Sequence, residues 1–243
     1  AAAQGGAFYV SGLSQPSFSA APSVYALKDA TASIVANAGT AAGASGDVAF
    51  STDGVAVFGY ADAADQYRNR LFALAPAAYA APAAPVDFTA HARLELGETF
   101  DTATFGKGVA VLRGVQDKDT YVTTYSDVVR LELAAPAATA TAVTPGAPVT
   151  VLRFVDACTT VSLESGMGAD LLVRVGDKNG KRLLRLAQQQ GAAGRTASAA
   201  ADCASATYDA QLGTLQLEPG FAVAQSAPLP EGVGAVTAVP VQP

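Results

Sequence analysis

Tryptophan is absent, histidine and methionine occur once each, and cysteine occurs twice. Each scarcity excludes something. Any Ser–His–Asp triad has to use His91, the sole imidazole, as its base. His91 falls on the outward side of an alternating segment beside Arg93, which is the place of an exposed strand histidine. Neither a G-x-S-x-G elbow nor an S-x-x-K signature is present. A G-x-x-x-x-G-K-[ST] phosphate loop is also missing. Carboxylate pairs such as Glu95 and Glu98 occur, but sequence spacing does not set the separation that glycoside hydrolysis needs. The chain is read as a non-enzyme, with no cofactor. The lack of tryptophan weakens a sugar-stacking platform, although eight tyrosines remain.

Charge is scarce too, at 15% of residues, and the balance is −6. Nucleic acid wants clustered Lys and Arg, so it is excluded as a partner. No apolar run approaches the ~18 residues of a membrane helix. No Asn-x-Ser/Thr sequon occurs, which removes glycosylation of that kind.

Two cysteines and one histidine cannot complete a tetrahedral zinc site without carboxylates, so no metal is expected. Cys158 and Cys203 are read as a disulfide, with two buried free thiols as the alternative. A loop of this length closed by a disulfide stabilises a fold by about 4 kcal/mol on the chain-entropy model. The small-residue start, Ala1-Ala2-Ala3, resembles what remains behind a signal-peptidase site. With the cysteine pair it predicts export to an extracellular or cell-surface location after signal-peptide removal.

What is present is β-prone. The densest stretch, 149–186, begins with Val149, Val151, Arg153 and Val155 alternating with Thr150, Leu152 and Phe154. Both faces are largely apolar, as in a strand buried on two sides. Leu171–Val175 and Arg182–Leu186 flank Asp177-Lys178-Asn179-Gly180, a hairpin signal. A two-residue turn at Asn179-Gly180 predicts Val175 opposite Leu184 and Arg174 opposite Arg185. The latter is a like-charge pair, so it asks for a carboxylate between them or a longer turn. Arg153, Arg174, Arg182 and Arg185 suit a solvated sheet face or an acidic patch on a neighbouring subunit.

Earlier, Ser23–Leu27, Thr31–Val35, Asp47–Phe50 and Val55–Tyr60 read as short strands, the last two joined through Asp53-Gly54. Residues 62–74 carry a helical signal: Asp62 as N-cap and Ala64, Tyr67, Leu71 and Leu74 on one face, with Pro76 as terminator. Residues 75–85 are a Pro/Ala connector. Val86–Leu94 alternates as one strand. Val109–Leu112, Thr120–Tyr125 and Val128–Leu133 continue the pattern, with a turn at 116–119. Asp117-Lys118-Asp119 and 177–180 hold part of a calcium loop, but ordinary turn chemistry explains both.

Short strands at this spacing predict a mainly β chain, an antiparallel β-sandwich that is one large or two small, with the one short helix near 62–74. The Pro/Ala/Thr segment 134–148 divides an N-terminal β-rich region, 1–137, from a C-terminal one, 138–243, that holds the cysteine bracket. Alternatively it is a long crossover inside one continuous sandwich.

The functional expectation is a structural subunit of an extracellular filament, pilus or surface layer, whose partner is another copy of itself. Phe8, Tyr9 and Val10, behind a Gly-Gly hinge, and Val233, Val236 and Val239 in the tail are the subunit-contact candidates. Either segment suits addition to a neighbour's open sheet edge. The alternatives are a secreted adhesin module that binds a protein or a host or surface glycan, and a virion decoration protein.

Overall fold

The computed structural model describes residues 2–4, 6–13, 22–38, 45–62, 68–80, 83–90, 92–94, 101–105, 108–117, 119–120, 123–134, 137, 143–155, 159–164, 170–177, 180–196 and 215–233. They form a mainly β structure with one short α-helix among them. The chain opens with β1 (Ala2–Gln4), β2 (Ala7–Leu13), β3 (Pro22–Lys28) and β4 (Thr31–Asn37). Next come β5 (Ser45–Phe50), β6 (Ala56–Asp62), β7 (Arg68–Leu74) and the helix α1 (Pro76–Tyr79). β8 (Val86–Asp87) and β9 (Ala92–Leu94) follow. Then β10 (Asp101–Phe105), β11 (Gly108–Gln116), β12 (Thr123–Glu132) and β13 (Val149–Phe154) run in order. The last are β14 (Thr160–Glu164), β15 (Leu171–Asp177), β16 (Gly180–Gln188), β17 (Leu215–Leu217) and β18 (Phe221–Leu229).

Four sheets result: β1-β2-β3-β4-β8, β5-β6-β7-β9, β10-β11-β12-β13-β17 and β14-β15-β16-β18. Pairing is antiparallel throughout, except between β4 and β8. Three apolar clusters stack the sheets as four layers. Tyr9, Val35, Phe50, Phe58, Phe72 and Leu74 join the first sheet to the second. Val57, Leu71 and Ala73 meet Val109, Val111 and Leu131, joining the second to the third. Leu112, Leu152 and Phe154 meet Leu171, Val173, Leu184 and Leu186, joining the third to the fourth. The two inner sheets are therefore covered on both faces, and β6, β11 and the Leu71–Leu74 part of β7 read as largely apolar runs instead of alternating ones. Their shared cluster is rich in alanine and valine, with Ala49, Ala73, Ala75, Val55 and Val143 among its members. Small side chains let two sheets approach closely, which is one use of a composition in which alanine exceeds one residue in five.

That two-sided burial explains the misplaced helix. The helix expected over 62–74 is not formed: Asp62 ends β6, and Arg68–Leu74 is β7. Phe72 and Leu74 face the first sheet while Leu71 and Ala73 face the third. A continuous apolar run fits a helical period as well as a doubly buried strand. The short helix lies instead at Pro76–Tyr79, inside the expected connector, and Pro76 starts it rather than ending another.

Val86–Leu94 is likewise not one strand. β8 pairs with β4 in the first sheet, and β9 pairs with β7 in the second. Between them a 3-10 turn, Phe88–Ala90, carries the chain across. Asp87 holds that turn, its Oδ1 accepting from the Thr89 N–H at 3.0 Å and the Thr89 hydroxyl at 2.6 Å. His91 lies outside the described residues.

The segment 134–148 connects neighbouring strands of one sheet, because β12 and β13 pair across it. Leu133 bridges Pro145, and the Gly146 N–H donates to the Glu132 carbonyl at 2.8 Å. A Cβ on Gly146 would sit 2.8 Å from that carbonyl oxygen, so only glycine allows the approach.

Both expected hairpins form. At β5–β6 the Gly54 N–H donates to the Ser51 carbonyl at 2.9 Å, and Gly54 has φ +76°. A type I turn closed by a left-handed glycine is the common three-residue hairpin. The Tyr79 hydroxyl donates to the Gly54 carbonyl, tying α1 to this turn. Burial, with a smaller contribution from Tyr9, pushes the Tyr79 hydroxyl pKa well above its ordinary value, so it remains a donor into strongly alkaline solution. At β15–β16 the turn differs from expectation by one residue. Asp177 faces Gly180, so Val175 lies opposite Arg182 and Arg174 opposite Leu183. The anticipated Arg174–Arg185 opposition does not arise. A further hairpin, β3–β4, turns through Asp29 and Ala30 at φ +50° and +60°. Its Asp-Ala pair gives none of the glycine signal that marks such turns.

Candidate assembly surfaces

The sequence-derived contact residues divide between inside and outside. Phe8, on β2, is 63% exposed, whereas its neighbour Tyr9 is 5% exposed. The Tyr9 ring packs at 5.1 Å from Phe50 and edge-on at 5.5 Å from Tyr79, inside the first cluster. Val10 returns to the outer side, half-buried. The expected free N-terminal arm is an internal strand here: β2 pairs with β1 on one side and β3 on the other. Val233 is half-buried, and its carbonyl accepts from Lys181 Nζ at 3.2 Å. Val236 and Val239 lie outside the described residues, as do Cys158 and Cys203.

The outer face of the first sheet is apolar. Phe8 stands opposite Leu27, and Leu27 opposite Ala32. In the next row Val10 stands opposite Tyr25, and Tyr25 opposite Ile34. Phe8 and Leu27 are two of the three large apolar residues that the described part of the chain leaves exposed. Adjacent exposed apolar side chains mark interaction surfaces more than scattered ones do.

The outer face of the fourth sheet, at the far end of the stack, is built differently. Two of its arginines are paired with carboxylates of the chain, while Lys181 on the same face donates to the Val233 carbonyl. Arg174 Nε donates to Glu164 Oε1 at 2.6 Å, and Arg185 contacts Asp170 Oδ2 at 2.5 Å. Arg185 also reaches Gln225 Oε1 at 3.2 Å. Between these pairs lie Leu172, Leu183 and Ala227, around a depression of about 420 Å³. A second depression, of about 360 Å³, is lined by Thr160, Lys181, Leu229 and Pro230 among others.

β18 forms one edge of that sheet. It pairs with β16 from Phe221 to Leu229, and no described residue pairs with its other side. Pro228 lies within it, opposite Arg182. An edge strand tolerates this proline, because a missing N–H costs nothing where it points outward.

Of the four arginines close in sequence, the structure brings only Arg174 and Arg185 to one exposed face. Arg153 is on the third sheet, where it and Arg113 flank Asp127. Arg182 donates to the Ser226 hydroxyl at 3.0 Å. The aspartate turn at 117 is held by its own chain: Asp117 Oδ1 accepts from the Thr120 N–H at 2.8 Å, the Thr120 hydroxyl at 2.9 Å and the Asp119 N–H at 3.0 Å. Those bonds, the Thr120 N–H foremost, hold the Asp117 carboxyl below its ordinary pKa.

Sequence reasoning missed Leu27, Ile34 and Leu183 on the outer faces, where Leu172 beside Leu183 is itself buried. The available signal was an apolar residue at both parities of β3 and β15, strands that each have one face without a covering sheet among the described residues. Among the described residues no helix is long and apolar enough to cross a membrane. Comparison with family models, curated proteins and solved structures finds no match.

Proposed function

We propose that this chain is an exported structural subunit of an extracellular filament, pilus or surface layer, built from copies of itself by β-strand addition. The observation that carries the reading is the outer side of β18, a nine-residue edge strand with which no described residue pairs on that side. An open edge of that length is a template for another extended segment. A segment added there gains main-chain hydrogen bonds and places alternate side chains on the sheet. The tail beyond Val233 is the candidate donor, since β2 is already paired on both sides. A donor and an acceptor at different places on one molecule make a heterologous contact, and such contacts propagate.

Ser226→Pro tests the edge. Alternate residues of an edge strand direct their N–H groups to the same side, and Pro228 has none to direct inward. The Ser226 N–H, two residues earlier, therefore points to the open side. Its removal leaves the main-chain pairing with β16 in place, at the cost of the Arg182–Ser226 side-chain bond, and blocks the docking of a new strand. Wild-type protein is expected to form long assemblies in negative-stain micrographs. The variant, melting within a few degrees of wild type, is expected to lose them. Long assemblies of equal number and length in the variant would contradict strand addition at β18.

A secreted adhesin module is the second reading. It draws on the depression beside Leu172 and Leu183, where Asp170, Arg185 and Gln225 surround an apolar floor. Polar groups around an apolar floor are what a sugar ring or a peptide side chain requires.

A further inference from the structure

We propose that the Asp101 carboxylate is a clasp that closes one side of the molecule to strand addition, by capping an outward N–H on the edges of two sheets at once. The inference concerns the β14 edge, across the fourth sheet from β18, and stands whether or not β18 takes a strand.

Hairpin register decides which main-chain groups of an edge strand point outward. Asp177 pairs with Gly180 across the two-residue turn between β15 and β16, so these two residues bond each other. Direction alternates along a strand, so Val175 and Val173 also bond towards β16, while Gly176, Arg174 and Leu172 bond towards β14. Their partners Thr160, Ser162 and Glu164 therefore use their N–H and C=O groups inside the sheet. Val161 and Leu163, between them, direct theirs outward. The same count applies to β10, an edge of the third sheet. Phe105 pairs with Gly108 across its turn, so Phe105, Ala103 and Asp101 bond towards β11, and Thr104 and Thr102 point outward.

Asp101 meets one outward N–H from each edge. Its Oδ2 accepts from the Leu163 N–H at 2.8 Å, and its Oδ1 accepts from the Thr102 N–H at 2.9 Å. Leu163 and Thr102 are both buried. One carboxylate thus ties the third sheet to the fourth along their edges.

An incoming strand would bring a carbonyl oxygen to the position that Oδ2 holds. A bond to an ionised acceptor is stronger than one between neutral groups, so the carbonyl does not displace the carboxylate. A displaced carboxylate would also be left facing that carbonyl. β14 offers two outward residues, and with Leu163 capped the template is too short to hold a strand. A charge set against an edge strand is one means by which β proteins prevent edge pairing. Without the clasp, the edge fits the β14 of a second copy. Antiparallel pairing centred on Ser162 sets Val161 of each copy against Leu163 of the other. That contact is two-fold symmetric, so it closes as a dimer, unlike the propagating contact at β18.

The test uses the Ser226→Pro protein, so that association read by light scattering after gel filtration reports on the β14 side. That protein is expected to be a monomer. Adding Asp101→Ala is expected to double its mass as concentration rises. Adding Val161→Pro as well is expected to return the monomer, because proline removes an outward N–H and leaves the bonds to β15 in place. Asp101→Asn keeps the shape but only one acceptor oxygen, and replaces Asp101→Ala if that variant folds poorly. It is expected to dimerise too, and to quicken hydrogen exchange at the Leu163 or Thr102 amide by at least about tenfold, the scale of losing a bond to a charged acceptor. An Asp101 variant of native circular dichroism that is monomeric at every concentration overturns the clasp. So does a dimer that survives Val161→Pro, or Ser226→Pro protein that dimerises with Asp101 intact. Wild-type protein that never forms long assemblies overturns the β18 reading alone.

Discussion

Phe88→Ala is expected to lower the unfolding free energy by about 3–5 kcal/mol, the range for deleting a fully buried aromatic side chain. Phe88 has no exposed surface. Its ring meets Phe58 edge-on at 4.3 Å and lies 5.4 Å from both Tyr60 and Phe72. The large loss follows from its place as well as its area. Phe88 opens the 3-10 turn where the chain leaves the first sheet at β8 and enters the second at β9. A cavity there sits between two sheets held apart by other aromatic rings, so collapse around it is restricted. Urea unfolding followed by circular dichroism measures the loss. A cost below about 1 kcal/mol would mean that the first two layers close without this residue.

The second large effect is expected at Asp127. Its side chain is 1% exposed, between Arg113 and Arg153 on the flanking strands. Arg113 binds both carboxylate oxygens, Nε to Oδ1 at 2.9 Å and Nη2 to Oδ2 at 2.7 Å. Arg153 adds a contact to Oδ2 at 3.3 Å. The three residues stand directly opposite one another across β11, β12 and β13. Removing the anion leaves two cations facing each other. Breaking a buried pair costs about 3–5 kcal/mol, and the arginines' access to water reduces this to roughly 2–4 kcal/mol for Asp127→Asn. Arg153→Met is expected to cost less than about 1 kcal/mol, because its guanidinium is partly solvated and the two-point bond to Arg113 survives. Equal losses from both substitutions would show that the aspartate is not the centre of the row.

Strand content, both hairpins and the apolar core of 149–186 were legible in the sequence because each depends on neighbours a few residues apart. Burial on two faces was legible for β13, where alternation fails visibly. It was not legible for β7, because four consecutive apolar residues, Leu71 to Leu74, satisfy a helical period equally well. The sheet-switching turn at Phe88 hid inside an alternating pattern, since Phe88 is buried in either conformation. The contact candidates were half legible. Phe8-Tyr9-Val10 marks an aromatic strand, but which side chain faces solvent is fixed by β1 and β3 pairing around it, and those partners are chosen by the whole sheet. Leu172 and Leu183 looked like core residues because apolar strand residues usually are. Only the layer order reveals that one side of their sheet has no covering layer among the described residues.

Negative-stain micrographs of the native protein over a range of concentrations address the central claim, that copies of this chain join by strand addition at the β18 edge. Elongated or layered assemblies that lengthen as concentration rises are the expected result. Uniform single particles at every concentration would contradict it.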